Sequence, residues 1–216
     1  MKSMKKEIDI DVQIQVNYQI GSPCWRTGED GVSFVTRITG EIFLIDDEVL
    51  PPKEEFIGTL SAIILHITSA VEHDADLEEL LDGVSMETSS YTSEIFDLSQ
   101  LDINPPFNRS SSSDFEYELM DRDLLIIEHI CLNKKGRGHG IGSKVLKDIE
   151  IIFGRAKLIV MRPFPLQFSK SDDFKGMDVE ELSKSNEKKE TEKLTKIYEN
   201  IGYKRAKKSG LVFKSC

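Results

Sequence analysis

The sequence predicts a mixed α/β (α+β) fold, because strand patterns and helix patterns both occur along one chain. Apolar and polar residues alternate strictly over residues 8–20, which is typical of a half-buried strand. Residues 124–132 are almost continuously apolar, which indicates a buried strand. Residues 140–153 repeat apolar side chains at helical spacing, which predicts a helix with one buried face.

The remaining elements follow from the same periodicities and from the turn residues between them. We expect strands at 32–45 and 56–67, with a bulge or bend at Gly40 in the first of them. Helical spacing predicts helices at 74–81, capped by Asp74, and at 92–101. The mixed-charge stretch 169–193 is typical of a solvated loop or a loosely held helix. The other expected elements are a strand at 158–161, a helix at 194–201 and short strands at 203–206 and 211–214.

The composition excludes several classes of partner. The chain has 216 residues, a formal net charge of −10 and a pI of about 5.0. Such an acidic balance argues against a nucleic-acid or anionic-membrane footprint, and we expect neither partner. It suits a cationic partner such as an amine, although acidity more often serves solubility. No stretch approaches the roughly 18 apolar residues of a membrane helix, and the basic start leads into no apolar signal core, so we expect a cytoplasmic protein.

The cysteines indicate no metal site. Cys24, Cys131 and Cys216 follow no metal-ligand spacing. Cys131 lies in an apolar run, where a cysteine behaves as a small core residue. An odd number of unpatterned thiols suits a reducing compartment.

Residues 135–143 form a glycine-rich turn between a predicted strand and a predicted helix. Glycines leave backbone N–H groups unshielded, and a helix N-terminus adds a positive dipole end, so this turn suits a di- or triphosphate. A Walker loop needs Gly-Lys-Ser/Thr here, which is absent. A Rossmann fingerprint needs a third glycine where Ser143 or Ile141 stands, and an acidic residue that the strand at 158–161 does not offer.

A third pattern fits the turn. Arg137, Gly140 and Gly142 match Arg/Gln-x-x-Gly-x-Gly/Ala, and residues 198–203 read Tyr-Glu-Asn-Ile-Gly-Tyr. With a strand, this loop and helix, a second strand, a further helix and a closing hairpin in that order, residues 122–216 resemble the GNAT superfamily of N-acetyltransferases. The resemblance implies a mixed, mostly antiparallel central sheet with a splayed strand pair and flanking helices. A similar string to residues 162–168 occurs in bacterial GNAT-like proteins, and it implies no substrate.

The resemblance also implies a cofactor site for acetyl-CoA as the acyl donor. The pantetheine arm would pair with backbone groups of the strand before the loop. The pyrophosphate would lie on the backbone N–H groups of the loop. His139 stands at a variable loop position and is expected to face solvent or a phosphate rather than to act as a catalyst. The implied contacts are Ile130, Cys131 and Leu132 on the strand, and Arg137, Gly138, His139, Gly140, Ile141, Gly142 and Ser143 on the loop.

Two side chains are candidates for the chemistry. Tyr198 matches the position of the family's general acid; the alternative is that its ring simply packs into the core. Glu128 is a carboxylate in an otherwise apolar strand, which indicates a base that acts directly or through a water. The alternative for Glu128 is that it pairs with a nearby arginine or faces water. His129 is expected on the opposite face of the strand, in a structural role.

The predicted reaction is transfer of an acetyl group from acetyl-CoA to a primary amine by direct attack in a ternary complex. An amine is mostly protonated at neutral pH and therefore needs a proton acceptor. The acceptor would be a small-molecule or peptide amine, and a homodimer is an expected assembly. The alternative is a GNAT-fold module that binds CoA or a partner protein without turnover. A dinucleotide enzyme is disfavoured by the missing fingerprint.

The two halves of the chain differ in how much the resemblance covers. We expect a single domain over 1–216, in which 1–121 is a divergent acceptor side and 122–216 is the acyl-CoA-binding core. Members of the family usually place two helices after the first strand, whereas here two or three strands precede the helices. The resemblance therefore does not identify the acceptor.

Overall fold

The structure is a computed structural model that describes residues 13–21, 34–46, 50–82, 92, 94–97, 102–104, 106–107, 123–153, 156, 158–165 and 186–215. Within these ranges the fold is mixed α/β, with a seven-stranded, mostly antiparallel sheet as its centre. No helix in the described ranges is long and apolar enough to cross a lipid bilayer. In chain order the elements are β1 Gln13–Gly21, β2 Val35–Asp46, β3 Lys53–Leu65, α1 Ile67–Glu72, α2 Leu77–Asp82, β4 Phe96–Asp97, β5 Asp102–Ile103, β6 Leu124–Leu132, α3 Ile141–Phe153, β7 Leu158–Met161, α4 Glu187–Asn200, β8 Lys204–Arg205 and β9 Val212–Ser215.

The strand order of the main sheet is β1-β2-β3-β6-β7-β9-β8. Because β3 pairs with β6, strands from both halves of the chain share this sheet. Among the described strands, only β6 and β7 run parallel. A parallel pair needs a crossover, and α3 provides it. The glycine-rich turn begins this crossover and therefore lies at the carboxyl end of β6.

The sheet is buried on both sides. The first side carries the cluster that contains Ile63, Ile126 and Val160, and α1, α2 and Phe107 cover it. The second side carries the cluster that contains Ala62 and Ile127, and it is covered by α3 and by the end of α4. Since β6 contributes to both clusters, its apolar run is explained by burial on two faces.

Several predicted boundaries in the N-terminal half needed correction. β3 spans Lys53–Leu65 and α1 follows at once, so the strand predicted at 56–67 began three residues too late and ended two residues too late. The cap of α2 is Asp76 rather than Asp74, because Asp76 Oδ1 accepts a hydrogen bond from the Glu79 N–H at 3.0 Å. Gly40 lies in unbroken β2 pairing, and the irregularity occurs two residues later, between Ile42 and Phe43. The part of the first strand before residue 13 lies outside the described residues.

Two predicted helices also differ from the structure. The helix predicted at 92–101 is wrong at Phe96 and Asp97, which form β4 and pair with β5, and residues 98–101 lie outside the described residues. The last helix is longer than its apolar periodicity indicated, since α4 begins at Glu187 rather than near residue 194. Glu187 and Glu190 lie in its first turn, where acidic side chains interact favourably with the helix dipole. Residues 166–185 lie outside the described residues. The strands at 124–132 and 158–161 are confirmed.

Candidate functional site

The glycine-rich turn is anchored by one side chain, Asn133. Its Oδ1 accepts hydrogen bonds from the N–H groups of Lys135 at 3.0 Å and Gly136 at 3.1 Å. Its own backbone N–H donates to the Ile57 carbonyl at 2.8 Å, and its Nδ2 donates to the Phe56 carbonyl at 3.2 Å. The start of the turn is therefore fixed to β3, and the chain beyond it is presented in one conformation.

The backbone beyond this anchor offers a row of unused donors. In the described ranges, the backbone N–H groups of Arg137, Gly138, Gly140, Ile141 and Gly142 have no acceptor, whereas that of His139 takes part in the turn over residues 134–138. The first N–H groups of α3 to be satisfied are those of Ser143 and Lys144, which both donate to the Gly140 carbonyl at 3.1 Å. Gly138 and Gly140 have φ angles of +83° and +71°, a left-handed conformation that occurs in backbone turns that bind anions. A row of this kind at a helix N-terminus is suited to bind phosphate oxygens.

The same stretch is locally basic within an acidic chain. Between residues 133 and 147 there are five lysine and arginine residues and no aspartate or glutamate. One of them, Lys135, forms an ion pair with Glu55 and lowers the pKa of that carboxyl group. Arg137 is held by a hydrogen bond from its Nε to the Leu132 carbonyl at 2.8 Å. The five basic residues are Lys134, Lys135, Arg137, Lys144 and Lys147, and all five are exposed.

The ladder between β6 and β7 ends beside the turn, and the region beyond its end is called the gap below. The two strands pair only over Leu124–Ile127 and Leu158–Met161. Beyond that point, residues 128–132 of β6 have no partner strand on the β7 side in the described part of the chain. β7 cannot continue the ladder because Pro163 has no N–H group. Residues 130–132, which lie beyond the end of this ladder, span about 10 Å at the usual rise of a strand.

The gap begins at a bulge in β6. Ser61 of β3 pairs with His129, whereas the next residue, Ala62, pairs with Ile127, so Glu128 is the extra residue. A bulge bends its strand and increases the local twist, which leads β6 away from β7. Paired residues point to the same face, so His129 lies on the Ser61 side. The expectation that it lies opposite Glu128 does not hold, because Ser61 also contacts Glu128.

Glu128 is held by two neighbours that the sequence did not identify. The Ser61 hydroxyl donates a hydrogen bond to Glu128 Oε2 at 2.5 Å, and Arg37 Nη1 lies 3.6 Å from the same oxygen. The pairing with an arginine, one of the two interpretations of Glu128, is therefore present. Arg37 and Ser61 lie on β2 and β3, far from β6 in sequence, and no local pattern links them to it. The carboxylate is 18% exposed, so it stays accessible from the first side of the sheet.

Tyr198 approaches from the second side of the sheet. Its ring packs against the cluster beneath α3, and its centroid lies 6.2 Å from that of Tyr203. Burial raises the pKa of Tyr198, so its hydroxyl stays protonated through the neutral range. Among the described residues, none forms a hydrogen bond with this hydroxyl. No contact joins Tyr198 to Glu128, and the sheet separates the two side chains.

The strand residues predicted to contact the cofactor line the gap. Ile130 and Leu132 pack partly into the cluster on the second side, and Cys131 is buried. Burial raises the pKa of the Cys131 thiol, and the positive charge of Arg137 opposes this only in part. A protonated, buried thiol is a poor nucleophile, so Cys131 does not suit covalent catalysis. Its backbone groups remain available on the unpaired edge.

A second polar cluster lies at the other end of the sheet. His66 Nδ1 lies 3.0 Å from Asp123 Oδ2, and His66 Nε2 lies 2.9 Å from Thr36 Oγ1. These residues come from the ends of β2, β3 and β6, so the cluster ties three strand ends together. In the described ranges, no group of three or more histidine, cysteine, aspartate or glutamate side chains is arranged to hold a metal ion.

Comparisons with protein-family models, with curated proteins and with solved structures found no match to this chain. The acyltransferase resemblance therefore rests on the motifs of the sequence and on the geometry of the glycine-rich turn and the gap.

Proposed function

We propose that this chain is an acyl-CoA-dependent N-acyltransferase of the GNAT type, which moves an acetyl group from acetyl-CoA to a primary amine. The observation that carries the proposal is the row of N–H groups from Arg137 to Gly142, unused except at His139, and this row opens directly beside the unpaired edge of β6. A pyrophosphate needs several convergent donors, and an attached extended arm needs free backbone groups to pair with. The two features meet at the end of one strand, where a single CoA molecule would use both.

The residues present fit this cofactor. The pyrophosphate would be held by the loop N–H groups, with the nearby basic side chains adding charge complementarity. The pantetheine arm would pair with Ile130, Cys131 and Leu132. When bound, acetyl-CoA supplies a thioester that is already activated towards attack by an amine. We also propose a cytoplasmic location, which the three unpatterned cysteines support because they suit a reducing compartment.

Glu128 is proposed to accept the proton that the incoming ammonium must lose, directly or through a water. It is the only carboxylate on the unpaired stretch 128–132, and it is accessible from the first side of the sheet. Arg37 and Ser61 fix its position and leave Oε1 for the substrate. Attack then forms the C–N bond and breaks the C–S bond. A free backbone N–H on the gap edge would stabilise the negative charge that develops on the thioester oxygen.

Tyr198 is proposed to stabilise the departing sulfur. Its hydroxyl carries a proton at neutral pH because burial raises its pKa. The ordinary pKa of a thiol, about 8.5, lies below that of a tyrosine, so the hydroxyl acts as a hydrogen-bond donor rather than by complete proton transfer. The products are the amide, the CoA thiol and one proton released to solvent.

One observation favours a second candidate, a CoA-binding module without turnover. Glu128 is already engaged by Ser61 and Arg37, as expected of a structural carboxylate, and Tyr198 lies across the sheet from it. Such a protein would keep the loop and the gap and would lack an effective proton acceptor.

Calorimetric titration with acetyl-CoA, CoA and NADH tests the proposal first. We expect both CoA species to bind and NADH to give no signal. A screen of primary amines for thiol release from acetyl-CoA then separates the two candidates, since the binding module would show no release with any amine. Failure of both CoA species to bind would exclude both candidates.

A further inference from the structure

A cavity of about 660 Å³ lies away from the glycine-rich turn, beside the hairpin of β8 and β9. Glu94, Pro106 and Phe107 line one wall, and the turn that follows β8 lines the other. This volume is typical of sites for small molecules. None of the described lining residues belongs to β6 or to the loop before α3.

The apolar walls of this cavity are fixed by packing. The Phe107 ring lies 4.9 Å from the Phe213 ring on β9, and both residues belong to the cluster on the first side of the sheet. Ala206 is buried, and its N–H donates to the Leu211 carbonyl at 2.9 Å. The body of a ligand would therefore meet a preformed apolar surface.

Glu94 places a carboxylate at this cavity without a partner. Its Oε2 is buried and has no hydrogen-bond donor among the residues that the structure describes. Its backbone is fixed, since its carbonyl accepts a hydrogen bond from Asn104 Nδ2 at 3.4 Å, and the Ile95 carbonyl accepts one from the Asn104 N–H at 2.7 Å. The buried Oε2 presents no surface to the cavity, so a ligand would meet the part of the Glu94 side chain that lines it, where the carboxylate charge attracts a cationic N–H donor.

The opposite wall carries unpaired positive charge. Lys207 and Lys208 are exposed, and neither forms an ion pair with a carboxylate in the described ranges. Arg205 differs, because Glu192 accepts two hydrogen bonds from it at 3.1 and 3.0 Å. The ammonium groups of these two lining residues attract an anion such as a carboxylate.

We propose that this cavity binds a small zwitterion, a free amino acid with an apolar side chain. Its ammonium group pairs with Glu94, its carboxylate pairs with Lys207 or Lys208, and its side chain lies against Phe107 and Ala206. This binding stands on the cavity alone.

The test is calorimetric titration of the full chain, without acyl-CoA, with L-phenylalanine, L-leucine and L-methionine. The methyl ester of each amino acid lacks the carboxylate, and its N-acetyl derivative lacks the amine. We expect at least one amino acid to bind and its two blocked analogues to bind about tenfold more weakly or worse. The proposal is overturned if none of the three amino acids binds, or if the blocked analogues bind as well as the free amino acid.

Two variants test which residues bind the ammonium group and the carboxylate of the ligand. Glu94→Gln keeps the shape of the side chain and removes its charge, so it should weaken the zwitterion about tenfold and leave the N-acetyl analogue unchanged. Lys207→Gln combined with Lys208→Gln should weaken the zwitterion and spare the methyl ester. Unchanged zwitterion binding in either variant would contradict the assignment. Binding of acetyl-CoA, measured in parallel, should be the same in all variants, so a failure of this site is distinguishable from a failure of the proposed function.

Discussion

The sharpest test of the loop compares two glycines with the same backbone strain. Gly140 has a φ of +71° and lies in the row of free N–H groups, and Gly210 has a φ of +73° and lies in the turn between β8 and β9. A Cβ added at either position meets no atom within 4 Å. Gly140→Ala and Gly210→Ala should therefore have the same effect on the protein itself, and they should differ only in their effect on a ligand bound at each site.

The expected effects on stability are equal for the two variants. An alanine in the left-handed region costs about 1–2 kcal/mol, so each substitution should lower the free energy of unfolding by that amount. Denaturant titration measures this. A much larger loss for Gly140→Ala would mean that the loop has contacts that its open surroundings do not indicate.

The expected effects on binding are unequal. At Gly140 the methyl group would stand where a phosphate has to approach the backbone, and the strain would turn a donor away. Loss of one charge-assisted hydrogen bond costs about 1.5–3 kcal/mol, which weakens acetyl-CoA binding roughly 10- to 150-fold. Gly210→Ala should bind acetyl-CoA as the unaltered chain does. Equal affinities in calorimetry for both variants would refute the proposed phosphate site.

Three further predictions concern the chemistry and the sheet. Tyr198→Phe should lower kcat about 10- to 100-fold and leave the affinity for acetyl-CoA unchanged. Because burial raises the pKa of Tyr198 above its usual 10.0, the unaltered enzyme should lose no activity to ionisation of this group below pH 10. A loss of activity near pH 8 that disappears in the variant would contradict this. Glu128→Gln should lower kcat about 100-fold or more while acetyl-CoA still binds, whereas a normal rate would leave the carboxylate a structural role. Gly58→Ala should destabilise the fold by about 3 kcal/mol or more in denaturant titration, because the new Cβ would lie 2.2 Å from the Cys131 carbonyl oxygen. Gly21→Ala is the control and should have little effect, because its Cβ would meet no atom within 4 Å.

Elements whose apolar residues recur at a regular spacing were predictable from the sequence. The strands at 124–132 and 158–161 and the helix now described as α3 follow directly from apolar patterning, because burial of a face imposes that pattern. The hairpin at Phe96 was not predictable in this way, since two-residue strands carry no period and Phe96 is buried by contacts from distant parts of the chain. The early start of α4 at Glu187 was missed because its first turns are polar and solvated.

The candidate site was predictable to the extent that it is local. The loop is one continuous stretch of sequence, so its glycines and its basic side chains could be recognised as neighbours without a structure. The partners of Glu128 could not, because Ser61 and Arg37 reach it across two strand pairings. The face on which His129 lies was mispredicted for the same reason, since strict alternation along β6 fails at a bulge that β3 reveals only by its register.

The bulge at Glu128 connects the fold to the proposed chemistry. One extra residue in β6 shifts the register against β3, and the resulting bend separates β6 from β7 at the point where the parallel pairing stops. The same insertion puts a carboxylate at the beginning of the gap, within reach of Ser61 and Arg37. Downstream of it, the strand presents an unpaired edge that ends in the row of free N–H groups. The extra residue of β6 and Pro163 beyond β7 both lie where the parallel ladder stops, and the extra residue is also the one that carries the candidate base.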